Sequence, residues 1–490
     1  MRGRAGDDTI DGGADNDSLY GDGGDDTFIA STGADTMDGG TGSDTVDYYN
    51  LAGANFISVT LNGSTVATVN VDGLNNDNIR NVENVTGTVG DDTIYGDAED
   101  NILRGMDGTD FLSGRQGDDT LDGGDGVDTA SYAAATGNVN ADLGAQVATN
   151  DGDGGSDVLV SIENLIGSNQ ADVLAGNSSD NLIEAGTGND TISGLGGFDI
   201  LDGGDGTDTV TYSAAAGGIN VDLFAEVATD DGDGASDTLV SIENITGSNF
   251  DDTIYGNGSN NIIYGLDGDD TINGRGGNDA ITGGAGFDYI IASAGTDSVN
   301  GGDDSDTIDY SQLGAGSSIV VTLNTSSVVT VTVGGGYGND SIRNIENVIG
   351  TDGNDIITGD DAFNTIDGQG GDDVIRGGNG SDIFYGGDGE DELRFDDLTA
   401  TGISLNLTNN TASYAGDGSV DNFSGFESYF TTILDDIIIT GSGNDVVTGL
   451  AGEDAFTASH GTDTLDGGDD FDTLNYSALT GINFISVTLN

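Results

Sequence analysis

The chain contains no cysteine, no proline, no tryptophan and no lysine, and it has one histidine in 490 residues. Without cysteine there is neither a disulfide framework nor a thiolate-bound metal, which suits an extracellular protein that folds without an oxidation step. Only nine residues are basic, all arginine, against 88 acidic ones, for a formal net charge of −79. Such a surface repels nucleic acid and anionic lipid, so its natural partner is a hard cation. No apolar run approaches the roughly 20 residues that span a bilayer. The start, Met1-Arg2-Gly3-Arg4-Ala5-Gly6, lacks the apolar segment of a secretory signal. Catalysis finds little support. There is no cysteine or lysine to act as nucleophile or Schiff base and no His-Glu-x-x-His zinc motif, and His460 sits at a variable turn position expected to face solvent. No acid–base pair stands out among so many carboxylates, and the chain reads as a non-enzyme.

What the chain does have is glycine, 87 residues of it, in phase with aspartate. From Gly3 the sequence runs in steps of nine. One step is Gly21-Asp22-Gly23-Gly24-Asp25-Asp26-Thr27-Phe28-Ile29, and another is Gly39-Gly40-Thr41-Gly42-Ser43-Asp44-Thr45-Val46-Asp47. The general form is Gly-Gly-x-Gly-x-Asp-x-U-x, with U a large apolar residue. A short fixed period means that each unit leans on its neighbours. A net charge this large normally belongs to a disordered chain. The strict phase argues for a fold instead, provided that cations neutralise it.

The units fall into six arrays, residues 1–47, 87–131, 167–211, 247–309, 350–394 and 431–475, separated by spacers 48–86, 132–166, 212–246, 310–349 and 395–430, with 476–490 opening a sixth spacer. Position six is Asp in 28 units and Asn in four, Asn101, Asn181, Asn261 and Asn364, always the second unit of an array. An aromatic residue follows every array (Tyr48, Tyr132, Tyr212, Tyr310, Phe395 and Tyr476) and reads as an apolar plug. The spacers end in related segments such as Ile162-Glu163-Asn164 and Ile345-Glu346-Asn347, whose Glu either bonds neighbouring backbone or binds metal. Asn150-Asp151-Gly152-Asp153-Gly154-Gly155 and its counterpart from Asp230 fail the EF-hand spacing and read as acidic surface turns. Both ends of the chain cut a repeat, as expected of a fragment of a longer protein; Asn483–Asn490 repeats Asn55–Asn62.

Each unit divides into six turn residues and three strand residues. Glycine permits the tight reversal, and the x-U-x triplet alternates as a short strand with one face buried. Two units close one coil of about 18 residues, so that position six recurs along an edge about every 4.8 Å. Stacked carboxylates need a cation between them. An all-oxygen site of carboxylates and backbone carbonyls is Ca²⁺ chemistry. The candidate ligands are Asp8, Asp17, Asp26, Asp35 and Asp44 in the first array; Asp92, Asp110, Asp119 and Asp128 in the second; and Asp172, Asp190, Asp199 and Asp208 in the third. The fourth supplies Asp252, Asp270, Asp279, Asp288, Asp297 and Asp306, the fifth Asp355, Asp373, Asp382 and Asp391, and the sixth Asp436, Asp445, Asp454, Asp463 and Asp472. Stacked pairs within the arrays give on the order of 20 calcium ions. The four Asn units are expected to serve turn hydrogen bonds rather than metal.

These residues resemble the hemolysin-type calcium-binding repeat of RTX proteins. The resemblance implies an all-β, right-handed parallel β-roll (a β-solenoid) of several arrays joined by β-rich spacers. It also implies Ca²⁺ between successive turns, and export from a Gram-negative bacterium by the type I secretion apparatus to the extracellular medium or cell surface, with calcium folding the chain outside. The function expected is that of a structural, adhesin-like solenoid; the alternative is the repeat region of a secreted enzyme or toxin with its catalytic domain outside this chain. Gly186-Thr187-Gly188-Asn189-Asp190 resembles the ice-contacting rows of some antifreeze RTX proteins, but a flat ice face needs that form in consecutive coils and it occurs once.

Overall fold

The x-U-x triplets form the strands. In the computed structural model, which describes residues 1–324, 327–415, 418–477 and 479, nearly every element is a strand of two to seven residues and the only helical element described is a short 3-10 turn at Gly334–Gly336. Residues 480–490, including the repeat of Asn55–Asn62, lie outside the described residues. The chain forms two compact units, Met1–Ser248 and Asn249–Asn490.

In the first unit one ladder begins with Thr9–Asp11, Thr27–Ile29 and Thr45–Asp47, paired parallel and eighteen residues apart, Ile10 on Phe28 and Phe28 on Val46. The intervening nonapeptides give a second ladder, in which Leu19 of Ser18–Gly23 pairs with Met37 of Thr36–Thr41. The second unit is built alike, with Thr253–Tyr255, Thr271–Asn273, Tyr289–Ile291 and Thr307–Asp309 in one ladder. Ile262–Asp267, Ala280–Ala285 and Ser298–Asp303 stand in its other ladder. Most triplets are buried chiefly at the centre, as in the pattern exposed–buried–exposed of Thr9–Asp11. The core is therefore a column of single apolar residues, among them Phe28, Val46, Ile254, Ile272 and Ile290. This is a parallel β-roll. Parallel strands expose no free backbone within a ladder, because each rung bonds the one before and the one after.

The spacers do not interrupt the roll; each inserts a small antiparallel meander into one ladder. In the first spacer Asp77–Arg80 stacks parallel on Thr36–Thr41, Ile57–Thr60 carries Thr93–Tyr95, and Ala67–Val71 lies antiparallel between them. In the second spacer Asp157–Val160, Val147–Asn150 and Asn140–Asp142 do the same in the opposite ladder. The third spacer returns to the first ladder through Asp237–Val240. In the second unit the meanders of Ile319–Arg343 and Ile403–Ser424 likewise occupy different ladders. Each meander adds two rungs, about 10 Å, to its own ladder, and the next adds as much to the other. Alternation follows from parity. An array with an odd number of nonapeptides ends on the ladder opposite the one that receives the next meander.

Candidate metal centre

Stacking at an eighteen-residue stride places position six of successive rungs side by side at the tight turn. There, within an array, the backbone amide of one Asp donates to Oδ1 of the Asp one rung on: Asp26 to Asp44 at 2.8 Å, Asp92 to Asp110 at 2.7 Å, Asp110 to Asp128 at 2.8 Å, and Asp270 to Asp288 at 3.0 Å. One oxygen of each carboxylate is thereby fixed by the ladder. The other, Oδ2, is buried and has no hydrogen-bond partner in Asp26, Asp44, Asp110, Asp119, Asp128, Asp190, Asp199, Asp208, Asp270, Asp279, Asp288, Asp306, Asp373, Asp382, Asp391 and Asp454. A buried carboxylate oxygen left without a partner is costly, and a row of them is far costlier.

Position-one glycine completes the cradle. A Cβ on Gly21 would lie within 3.0 Å of both Asp26 Oδ2 and the carbonyl oxygen of Gly39, the first residue of the next rung. Gly87 stands in the same relation to Asp92 Oδ2 and Gly105 O, and Gly265 to Asp270 Oδ2 and Gly283 O. At these rungs glycine at position one leaves room for carboxylate and carbonyl oxygens to converge; alanine holds that position at Ala30, Ala185 and Ala292. The donor set is oxygen only, with a flexible carboxylate and backbone carbonyls, which fits Ca²⁺. Arginine ion pairs such as Arg376–Asp396 at 2.8 Å lie elsewhere.

The electrostatics agree. Burial pushes the Asp110, Asp119 and Asp199 carboxyls up to about 7, with the accepted amide opposing the rise and nearby carboxylates adding to it. Burial likewise raises Asp270 and Asp382 to about 8. Such carboxyls take up either protons or a cation at neutral pH.

Of the 28 aspartates expected as ligands, 23 are buried; Asp8, Asp17, Asp445 and Asp463 are half-buried, and Asp472 is exposed. The first units of later arrays differ from the interior. The Thr88 amide and hydroxyl bond Asp92 at 2.5 and 3.0 Å, and Ser168, Thr351 and Thr432 treat Asp172, Asp355 and Asp436 alike. At Asn101, Asn181 and Asn364 Oδ1 accepts a turn amide and Nδ2 donates to the spacer Glu carbonyl, as in Asn181 with Asn177 N and Glu163 O, both at 2.7 Å. Asn here is a hydrogen-bonded link.

Ten further carboxylates stand in these rows; sequence reasoning missed the five spacer aspartates and left the role of the five spacer glutamates open. Asp77, Asp157, Asp237, Asp340 and Asp421 receive the amides of Asp35, Asp119, Asp199, Asp297 and Asp382 from one rung back. Glu83, Glu163, Glu243, Glu346 and Glu427 receive those of Asp44, Asp128, Asp208, Asp306 and Asp391 through Oε2, so the spacer Glu bonds backbone. The signal was present for the first set. Gly335-Gly336-Tyr337-Gly338-Asn339-Asp340-Ser341-Ile342-Arg343 is a complete nonapeptide hidden in a spacer, and Gly152–Val160 is nearly one.

Two further expectations are corrected. The turns after Asn150 and Asp230 are not simply surface features, because Asp151 and Asp231 are fully buried. Asp151 Oδ1 accepts the amides of Asp153, Gly154 and Gly155 at 2.8–2.9 Å, which ties the turn to a buried anchor. The aromatic after an array is more than an apolar plug. Tyr48, Tyr212 and Tyr310 are buried, and their hydroxyls donate to Oδ2 of Asp77, Asp237 and Asp340 at 3.1, 3.2 and 3.2 Å.

No curated protein matches the chain. Among solved structures, one titled the X-ray crystal structure of a hyperactive, Ca²⁺-dependent, β-helical antifreeze protein from an Antarctic bacterium is similar at 18% identity, over 76% of this chain and 84% of that chain, with a TM-score of 0.13. The family model described as RTX calcium-binding nonapeptide repeat matches residues 1–48, 82–130, 162–214, 246–308, 345–393 and 431–474 in overlapping segments. With phased turns, buried position-six carboxylates and that match over more than half its length, the chain belongs to the RTX calcium-binding nonapeptide repeat family.

Proposed function

We propose that this calcium-binding β-roll takes up Ca²⁺ on the position-six carboxylates between rungs, and that calcium drives its folding as a structural module of an exported protein. The observation that carries the reading is the buried, unpartnered Oδ2 repeated from rung to rung beside a glycine carbonyl, as at Asp26 and Gly39 or Asp270 and Gly283. Interior residues such as Asp26, Asp44, Asp110, Asp128, Asp270 and Asp288 would hold the ions, with on the order of 20 ions as the upper scale set by the stacked pairs. Bound Ca²⁺ would supply the positive charge that lets these carboxylates stack ionised. The protein residues do the rest: glycine brings the carbonyls close, the amide ladder aims each carboxylate, and the apolar column registers the rungs. In calcium-poor cytoplasm the same charge of −79 opposes compaction, which suits an unfolded chain handed to a type I secretion apparatus and folded outside, on a surface-attached or adhesin-like protein. The test is far-UV circular dichroism of the chain at pH 8 with EGTA and with millimolar Ca²⁺. Strand content appearing only with calcium supports the reading, and equal strand content in both discards it.

A further inference from the structure

The spacer aspartates sit in the same ladder as the array aspartates, yet their second oxygen meets a different fate. Asp340 accepts the Asp297 amide through Oδ1 at 3.0 Å, as an array Asp does. Its Oδ2, the atom left unpartnered within the arrays, accepts the Tyr310 hydroxyl at 3.2 Å. Asp77 with Tyr48 and Asp237 with Tyr212 repeat the arrangement. In the second spacer Tyr132 and Asp157 are neighbours whose oxygens fall short of hydrogen-bond geometry. The fifth spacer is the informative exception. The residue after its array is Phe395, which has no hydroxyl, and the donor to Asp421 Oδ2 is instead Tyr414, from the antiparallel strand Thr411–Tyr414. A phenol therefore reaches this oxygen from a different place in the chain when the usual one lacks it.

At two of these rungs the carboxylate on the other side of the gap is occupied as well. The Ser293 hydroxyl donates to Asp297 Oδ2 at 3.4 Å, and the Ser31 hydroxyl to Asp35 Oδ2 at 3.0 Å. Both units begin with alanine in place of glycine, Ala292 and Ala30. A cation held at 2.3–2.6 Å needs carboxylate oxygens free to turn towards it. Hydroxyl donors engage these oxygens and fix them within the protein.

We propose that the tyrosine-capped spacer aspartates are cation-free stops, at which a phenolic hydroxyl takes the carboxylate oxygen that would otherwise bind calcium, so that calcium occupies short separate stretches rather than one continuous row. The proposal rests on calcium binding by the interior position-six aspartates. Its consequence is that the rungs Asp297–Asp340 and Asp35–Asp77 are closed without metal, and that binding in one array is separated from the next along the same edge.

The test is the number of calcium ions per folded chain, measured by equilibrium dialysis and elemental analysis with circular dichroism confirming the fold. Asp288→Asn, in the array interior, is expected to lose at least one ion. Asp340→Asn, which keeps an acceptor for the Asp297 amide, is expected to lose none. Tyr310→Phe keeps the ring and removes only the donor, and is expected to gain one ion as Asp340 Oδ2 becomes free. A loss of one ion in Asp340→Asn overturns the stop while leaving calcium binding intact, and an unchanged count in Tyr310→Phe overturns the role given to the hydroxyl. No loss in Asp288→Asn would instead overturn the underlying reading.

Discussion

The backbone amide of Asp270 donates to Oδ1 of Asp288 across 3.0 Å, and Oδ2 of Asp288 is left buried and unpartnered. One hydrogen bond thus performs two tasks. It holds adjacent rungs in register, and it turns the second oxygen to a place where only a proton or a cation can satisfy it. The neighbouring position-five carboxylates are engaged oppositely: Asp269 Oδ1 accepts the amide of Phe287 from one rung on, at 2.8 Å and in contact with solvent. Adjacent aspartates in one motif therefore carry different chemistry, one structural and hydrated, the other buried and metal-seeking.

That difference predicts unequal mutational costs. Asp110→Ala removes a buried carboxylate and leaves the Asp92 amide without its acceptor, and is expected to raise the calcium concentration for half-folding about tenfold, equivalent to roughly 1.4 kcal/mol. Asp91→Ala, at an exposed position-five turn residue that accepts the Thr109 amide, is expected to shift it less than about threefold. A calcium titration followed by circular dichroism distinguishes the two, and equal shifts would contradict the division.

The glycine cradle predicts sensitivity to a single methyl group. In Gly265→Ala the Cβ would collide with Asp270 Oδ2 and Gly283 O, whereas a Cβ on Gly258 meets nothing within 4 Å. The first substitution is expected to destabilise the calcium-loaded form by about 2–3 kcal/mol and the second by about 0.5 kcal/mol or less. Thermal melts in calcium report both.

The raised carboxyls give calcium-free chain an acid-dependent stability. Asp270, buried beside Asp252, Asp288 and Asp251, is raised from 3.8 to about 8 in the fold. A group whose folded value is raised adds stability that is fully present below its unfolded value and lost as pH climbs through the folded one. In EGTA, strand content is therefore expected to be greatest near pH 4 and to fall progressively as pH rises to 8. At pH 8 calcium is expected to restore it. Strand content in EGTA that rises with pH would contradict the prediction.

The alternation of meanders predicts a parity rule. Removing nine residues from the second array, Gly105 to Ser113, leaves an even number of units and directs the next meander to the ladder that already carries one. Removing eighteen, Gly105 to Asp122, preserves the odd count. The longer deletion is expected to fold in calcium with a sharp transition, and the shorter one to lose cooperativity; circular dichroism melts of both chains decide between them.

The nine-residue phase was enough to place Val46 or Ile272 in the core and Asp44 or Asp270 at a turn edge, because strand alternation and the stride of two units per coil follow from local geometry. It was also enough to name the cation, since stacked carboxylates with glycine carbonyls leave few alternatives. The spacers were less legible. Asp340 sits in a complete nonapeptide, yet it is preceded by the loop and antiparallel strand that carry it back beside Asp297, so nothing in its spacing from the array shows that the two will meet. The Tyr310 hydroxyl, the Glu346 cap on Asp306 and the buried Asp151 depend likewise on contacts between residues 4 to 40 positions apart. What the sequence determined by itself was the repeating unit, its core and its ligand type, because those are properties of one nonapeptide and its copy. Only the tertiary structure decided which carboxylate oxygens are taken by a neighbouring hydroxyl or amide and which are left for a metal, because that is settled by what each spacer folds back against the rung.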